Sequence, residues 1–205
     1  MPVAAIDIGT NSTNLLVVDD DGSTRTRIVS VTRLGAGVDR TGRLDDEAIA
    51  RTLERITSYA ENISNIGDSI PLRISASSAC RDAANRDDFF DRVASIIGVR
   101  PELISGVEEG RLSYLGATGG LRTDHMGHVV IDIGGGSTEF AFGDTEFRLS
   151  RSIDVGAVRM TERHLRHDPP RPEELLNAIG DAQDLFDDRS EEHTSELQSH
   201  SDLVC

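Results

Sequence analysis

The sequence predicts an α/β protein of two duplicated domains with mixed sheets and flanking helices, the second domain incomplete. Three observations carry that prediction. Residues 5–14 read AIDIGTNSTN and residues 130–139 read VIDIGGGSTE, identical at six of ten positions with a constant offset of 125. Each copy opens a run of short strands joined by tight turns, and helix-period segments follow. Residues 189–205 (RSEEHTSELQSHSDLVC) then lose helical and strand periodicity, and Arg189–Ser199 reverse-translates into a string that reads like a sequencing-library adapter. Coding sequence is therefore expected to stop near Asp188, and the rest, read as disordered adapter read-through, is left out of fold reasoning. The expected domains are 1–124, then 125–188 as the start of the second copy.

The elements follow in order. Residues 3–8 are a short apolar run ending in a Gly turn, as in a buried strand. Leu15–Val18 and Thr26–Leu34 read as two more strands, separated by the turn Asp19-Asp20-Asp21-Gly22. Asp45 or Asp46 caps a helix carrying Ile49, Leu53, Ile56, Ala60 and Ile63 on one face. Arg73–Ala76 is a strand, and residues 86–97 a helix closed by Gly98 and Pro101. A short strand at Leu103–Ser105 precedes a helix from Glu108 to Gly116, and Gly119–Gly127 reads as a linker. The pattern then restarts with strands at Val129–Ile133, Thr138–Phe142 and Glu146–Ser152. Helices at Ala157–His167 and from Glu173 to about Phe186 follow.

Composition narrows the function classes. The net charge is −15 and every one of the 21 basic residues is Arg, a pattern expected of GC-rich coding or an acidic proteome. Such a surface argues against DNA and anionic membranes as partners. An anionic ligand needs a local pocket of backbone N–H groups, metal ions and a few Arg. The two cysteines, Cys80 and Cys205, form no CxxC and no zinc pattern, which fits a reducing compartment. The N-terminus shows no leader pattern and no apolar run has membrane-spanning length, so a soluble cytoplasmic protein is expected.

The doubled turn is the strongest chemical signal. Asp7 and Asp132 stand at strand ends, where a carboxylate is poised to hold Mg²⁺ directly or through water. Gly9 and Gly134 let the backbone approach an anion closely, and Ser12 and Ser137 offer hydroxyls to phosphate oxygens. Two such turns facing each other make a phosphate clamp. Glu109 and Glu108 lie near a helix start, where the helix dipole alone would favour them. Arg81 suits a phosphate fork or an ion pair with Asp82 or Asp87. Cys80 reads as a small buried residue, not a nucleophile.

These loops, together with SASSACRDA (75–83), ISGVEEGRL (104–112) and IDIGGGSTE (131–139), resemble the exopolyphosphatase/guanosine pentaphosphate phosphatase (Ppx/GppA) family of the sugar kinase, Hsp70 and actin superfamily. The resemblance spans residues 3 to about 165. It implies duplicated ribonuclease H-like (actin-like ATPase) domains and a Mg²⁺-dependent exopolyphosphatase that releases terminal orthophosphate from inorganic polyphosphate. Guanosine pentaphosphate 5′-phosphohydrolase, a non-catalytic polyphosphate or nucleotide binder, and an ATP-using kinase are the alternatives. By the same resemblance Glu109 activates water, with Glu108 as its rival, and Arg81 clamps phosphate. Asp7, Asp132 and Glu139 hold Mg²⁺. Gly9, Thr10, Asn11, Ser12, Gly134, Gly135, Gly136 and Ser137 bind phosphate oxygens. Asp154, Gly156 and Arg159 form a further turn near the phosphates. Gly110 stands where the family commonly has Ala and is expected to loosen the helix start. A homodimer is implied for the full-length form.

Overall fold

The computed structural model describes residues 1–67, 69–121 and 127–201. The first unit is a five-stranded sheet of order β3-β2-β1-β4-β5. Its strands are β1 (Val3–Ile8), β2 (Ser12–Val18), β3 (Thr24–Val31), β4 (Leu72–Ala76) and β5 (Glu102–Leu103). β1 pairs antiparallel with β2 and parallel with β4, so the sheet is mixed. The second unit is β6 (His128–Ile133), β7 (Thr138–Gly143) and β8 (Phe147–Ile153), paired antiparallel throughout. The two hairpins share one register. Asp7 stands opposite Asn14 as Asp132 stands opposite Glu139, and Gly9 N–H donates to Ser12 O as Gly134 N–H does to Ser137 O, both at 2.9 Å. The fold is thus a duplicated ribonuclease H-like α/β fold, with fewer strands in the second copy among the described residues.

The helices follow from caps and apolar periods. The short α1 (Val38–Thr41) and α3 (Ser78–Asp82) carry too few residues to show a period, so the sequence pattern misses both. α2 (Asp46–Ile66) starts where the Asp45 carboxylate accepts from the N–H groups of Glu47 and Ala48. α4 (Arg86–Ile97) ends at Gly98, whose φ of 77° suits glycine. α5 (Gly106–Thr118) begins at Ser105, whose hydroxyl accepts from Glu108 N–H. α6 (Ala157–His164) is shorter than expected. α7 (Pro172–Ser201) runs well past the expected end near Phe186. The backbone is therefore helical, not disordered, from Arg189 to Ser201, because no Gly or Pro after Gly180 interrupts it. The expected linker at Gly119–Gly127 lies partly outside the described residues, and so do the last four residues of the expected tail.

One face of the first sheet supplies the core. Ile6, Ile8, Leu15, Val17 and Ile74 pack with Ile49, Ile56 and Tyr59 of α2 and Phe89, Phe90 and Val93 of α4, all essentially buried. Fully burying one such aliphatic side chain is worth about 1.5–3 kcal/mol. The Tyr59 hydroxyl donates to Thr13 O at 2.7 Å and meets Ser30 Oγ at 2.9 Å, so the buried phenol is satisfied. The same alternation leaves Asp7 on the opposite, open face of β1. In the second sheet the open face is the other one: Val129, Ile131 and Ile133, the counterparts of buried Ala4, Ile6 and Ile8, are 63%, 56% and 72% exposed. No helix among the described residues is long and apolar enough to cross a membrane.

Candidate active site

The two glycine turns face each other. Residues Gly9–Ser12 of the first and Gly134–Ser137 of the second line one cleft of about 550 Å³, together with Asp7, Glu109 and Asp132. The approach is close enough to require glycine. A Cβ on Gly135 would lie 3.0 Å from Thr10 Cβ, and one on Gly136 would lie 2.4 Å from Ser78 Oγ. The Thr10 side chain is buried in this seam, so it offers the cleft mainly its backbone. α6 braces the second turn from behind: Ala157 N–H donates to Gly134 O at 2.9 Å and Val158 N–H to Gly135 O at 2.8 Å.

α3 and α5 bring Arg81 and Glu109 together at the cleft. Arg81 Nη1 donates to Glu109 Oε2 at 2.8 Å and to Ile104 O at 3.1 Å, while Nη2 reaches Ser137 Oγ at 3.4 Å. Arg81 is thus engaged with neither Asp82 nor Asp87, which pair with Arg159 and Arg100. The two adjacent glutamates have different surroundings. Glu108 is held bidentately by Arg111 at 2.7 and 2.8 Å, and that hydrogen bonding lowers its pKa. Glu109 lines the cleft and Glu108 does not.

The three acids expected at a metal are distributed differently. Asp7 and Asp132 line the cleft. Burial pushes the Asp7 carboxyl up, hydrogen bonds from Ser75 (3.2 Å) and Asn14 (3.5 Å) oppose this, and the nearby Glu109 and Asp132 charges add to the rise. Asp7 keeps solvent access on the open sheet face while neighbouring atoms crowd it. Asp132 accepts from the Ser113 hydroxyl of α5. Glu139 is buried behind the cleft beneath Gly110, its Oε1 accepting from Ser152 at 2.6 Å. Desolvation raises its pKa. Among the described residues no three Asp, Glu, His or Cys side chains form a metal-holding group. A ready-made cage is not what Mg²⁺ requires, since it usually takes one or two carboxylates, waters and substrate phosphates. The donor set fits that mode: Asp7 and Asp132 repel each other, and the amide oxygen of Asn14 beside Asp7 is buried without a hydrogen-bond partner.

Two expectations shift. Gly110 does not simply loosen α5: a Cβ there would lie 2.7 Å from Ser150 Cβ, and one on Gly106 would lie 2.3 Å from Ser152 Cβ. Both glycines let α5 lie directly on β8. Arg159 does not reach into the cleft. It donates to Gly136 O at 2.7 Å, to Asp39 and to Asp82 at 2.6 Å, tying the second unit to the first. Cys80 is fully buried and its thiol is pushed up to about 12 by desolvation, as suits an inert core residue. The residue-by-residue reading of the sequence passed over Asn14, although the doubled motif ends on it: it holds the register position that Glu139 holds in the second copy.

Paired glycine turns from a duplicated α/β fold, with an arginine-held carboxylate at their cleft, define a protein of the ribonuclease H-like class. The model of the Ppx/GppA phosphatase family matches residues 17–201, and the chain belongs to that family. Exopolyphosphatase 2 of Mycobacterium tuberculosis is 45% identical over 191 residues, covering 86% of this chain and 59% of that protein. The crystal structure of an exopolyphosphatase-like protein superposes with a TM-score of 0.85 at 41% identity, over 92% of this chain and 61% of the other. An exopolyphosphatase from Cytophaga hutchinsonii gives 0.84 at 26% identity, over 91% and 61%. The chain therefore spans about 59% of the length of the curated relative it matches.

Proposed function

We propose that this chain carries the catalytic loops of a Mg²⁺-dependent exopolyphosphatase, which hydrolyses the terminal phosphoanhydride bond of inorganic polyphosphate. One observation carries the reading: Glu109 lines the cleft between the two phosphate turns with one carboxylate oxygen fixed by Arg81. Backbone N–H groups of both turns and the Ser12 and Ser137 hydroxyls hold the terminal phosphate. Arg81 orients the Glu109 carboxylate and leaves its second oxygen for a water. Glu109 takes the proton as the water oxygen bonds to phosphorus; the bridging P–O bond breaks, giving orthophosphate and a chain one unit shorter. Asp7 and Asp132 would hold Mg²⁺, which when bound neutralises charge on the phosphate oxygens. Glu139, behind them, accepts a hydrogen bond from the Ser152 hydroxyl opposite it on β8.

The test is orthophosphate release from polyphosphate in the presence of Mg²⁺. Glu109→Gln is expected to lower the rate about 100-fold or more while polyphosphate still binds. Unchanged release by that variant, or none by the wild-type chain, sinks the hydrolase reading.

A further inference from the structure

Arg27 lies on β3, outside every motif that defines the cleft, yet it lines the same cleft as the two turns. It is the sole Arg among the described residues lining that space, where the other charged side chains are the carboxylates of Asp7, Glu109 and Asp132. Three arginines close to the cleft are committed elsewhere: Arg81 to Glu109, Arg73 to Glu102, Arg159 to Asp39 and Asp82. Arg27 is exposed and makes no side-chain hydrogen bond or ion pair among the described residues. In a chain of net charge −15, a polyanion lying over three carboxylates is repelled unless cations meet it.

The strand register says which part of a ligand Arg27 can meet. Asp7 pairs with Asn14 on β2, and Leu16, two residues along β2 on the same face, pairs with Arg27 on β3. Two residues along a strand and two strands across place the Arg27 Cα about 12 Å from that of Asp7. Arg27 therefore stands several phosphates away from the turns, over the open face of the first sheet.

Building on the exopolyphosphatase reading, we propose that Arg27 binds the phosphates of a linear polyphosphate behind the one held by the turns, and so sets a preference for long chains over short ones. Its planar fork suits non-bridging phosphate oxygens bidentately.

Titration calorimetry with Mg²⁺ present, using orthophosphate, tripolyphosphate and a long polyphosphate as probes, tests this on wild type, Arg27→Gln and Arg27→Lys. Arg27→Gln is expected to weaken long polyphosphate about tenfold, to leave orthophosphate unchanged, and to flatten the salt dependence of binding. Arg27→Lys is expected to recover part of the loss. Arg27 is exposed, so all three proteins should melt together, which separates the effect from misfolding. Equal binding of long polyphosphate by wild type and Arg27→Gln, or an equal loss for orthophosphate, overturns the assignment. Measured beside orthophosphate release, the outcomes separate. Binding that depends on Arg27 without hydrolysis overturns the hydrolase reading and leaves Arg27 its role. Hydrolysis with unweakened Arg27→Gln overturns the Arg27 role alone. No polyphosphate binding by wild type overturns both.

Discussion

Glu109 and Arg81 act as one unit. Their side chains are both about one-fifth exposed, and the 2.8 Å ion pair fixes the glutamate rotamer at the cleft edge. The guanidinium spans Glu109, Ile104 O and Ser137, a fan of acceptors that a point-like ammonium cannot reproduce. Arg81→Lys is therefore expected to keep the fold and the charge, yet lower kcat about tenfold or more with little change in polyphosphate affinity. Steady-state kinetics check this, and an unchanged kcat would show that orientation by the fork is dispensable. Glu108 is one residue away, and the family resemblance, not spacing or periodicity, set Glu109 before it. Glu108 pairs with Arg111 three residues on along the same helix, whereas the way α5 packs turns Glu109 to the cleft.

α5 carries Glu109 and is positioned by two glycines one helical turn apart. Gly106 and Gly110 allow its backbone to rest on Ser152 and Ser150 of β8. Alanine at 110 gains about 1 kcal/mol of helix propensity, but its methyl would meet Ser150 Cβ at 2.7 Å, and overpacking costs about 1–3 kcal/mol. Because Ser150 Cβ is fixed to a strand, overpacking is expected to win: Gly110→Ala should lose about 1 kcal/mol in urea unfolding, with Ser150→Gly restoring it in the double variant. A stabilised Gly110→Ala would show instead that α5 shifts at no cost. Helix propensity gave only part of this glycine's role, since propensity is a local quantity and the close approach of β8 is not.

Across the molecule the two units are latched by charge. Asp39 of α1 receives Arg159 and Arg163 of α6, and Gly37 N–H donates to both Glu162 oxygens at 3.0 and 3.1 Å. Hydrogen bonding by Arg163, aided by Arg159, holds the Asp39 carboxyl below its ordinary 3.8. A depressed carboxylate stabilises the fold only while ionised. The contribution is thus present above about pH 3.8 and lost as pH falls through the lower folded value. Asp39→Ala is expected to cost about 2 kcal/mol at neutral pH, less than a fully buried pair because Arg163 keeps contact with water. The difference from wild type should close on acidification below pH 3.8. Denaturant melts at pH 7 and pH 3 measure both, and a pH-independent difference would show that packing, not charge, holds the units.

The sequence by itself determined the duplication, the two glycine turns and most of the long helices. These depend on residues a few positions apart: the repeated Asp-Ile-Gly and Ser-Thr write the same hairpin register twice, down to matching Gly9–Ser12 and Gly134–Ser137 hydrogen bonds. Only the tertiary structure decided that Glu109 meets Arg81, that Glu139 sits behind the cleft while Asp7 and Asp132 line it, and that Arg159 serves as a latch. Those outcomes turn on contacts between residues as far apart as Asp39 and Arg159. Which of several acids an arginine reaches is set by how helices and sheets pack, and neither motif spacing nor periodicity carries that information.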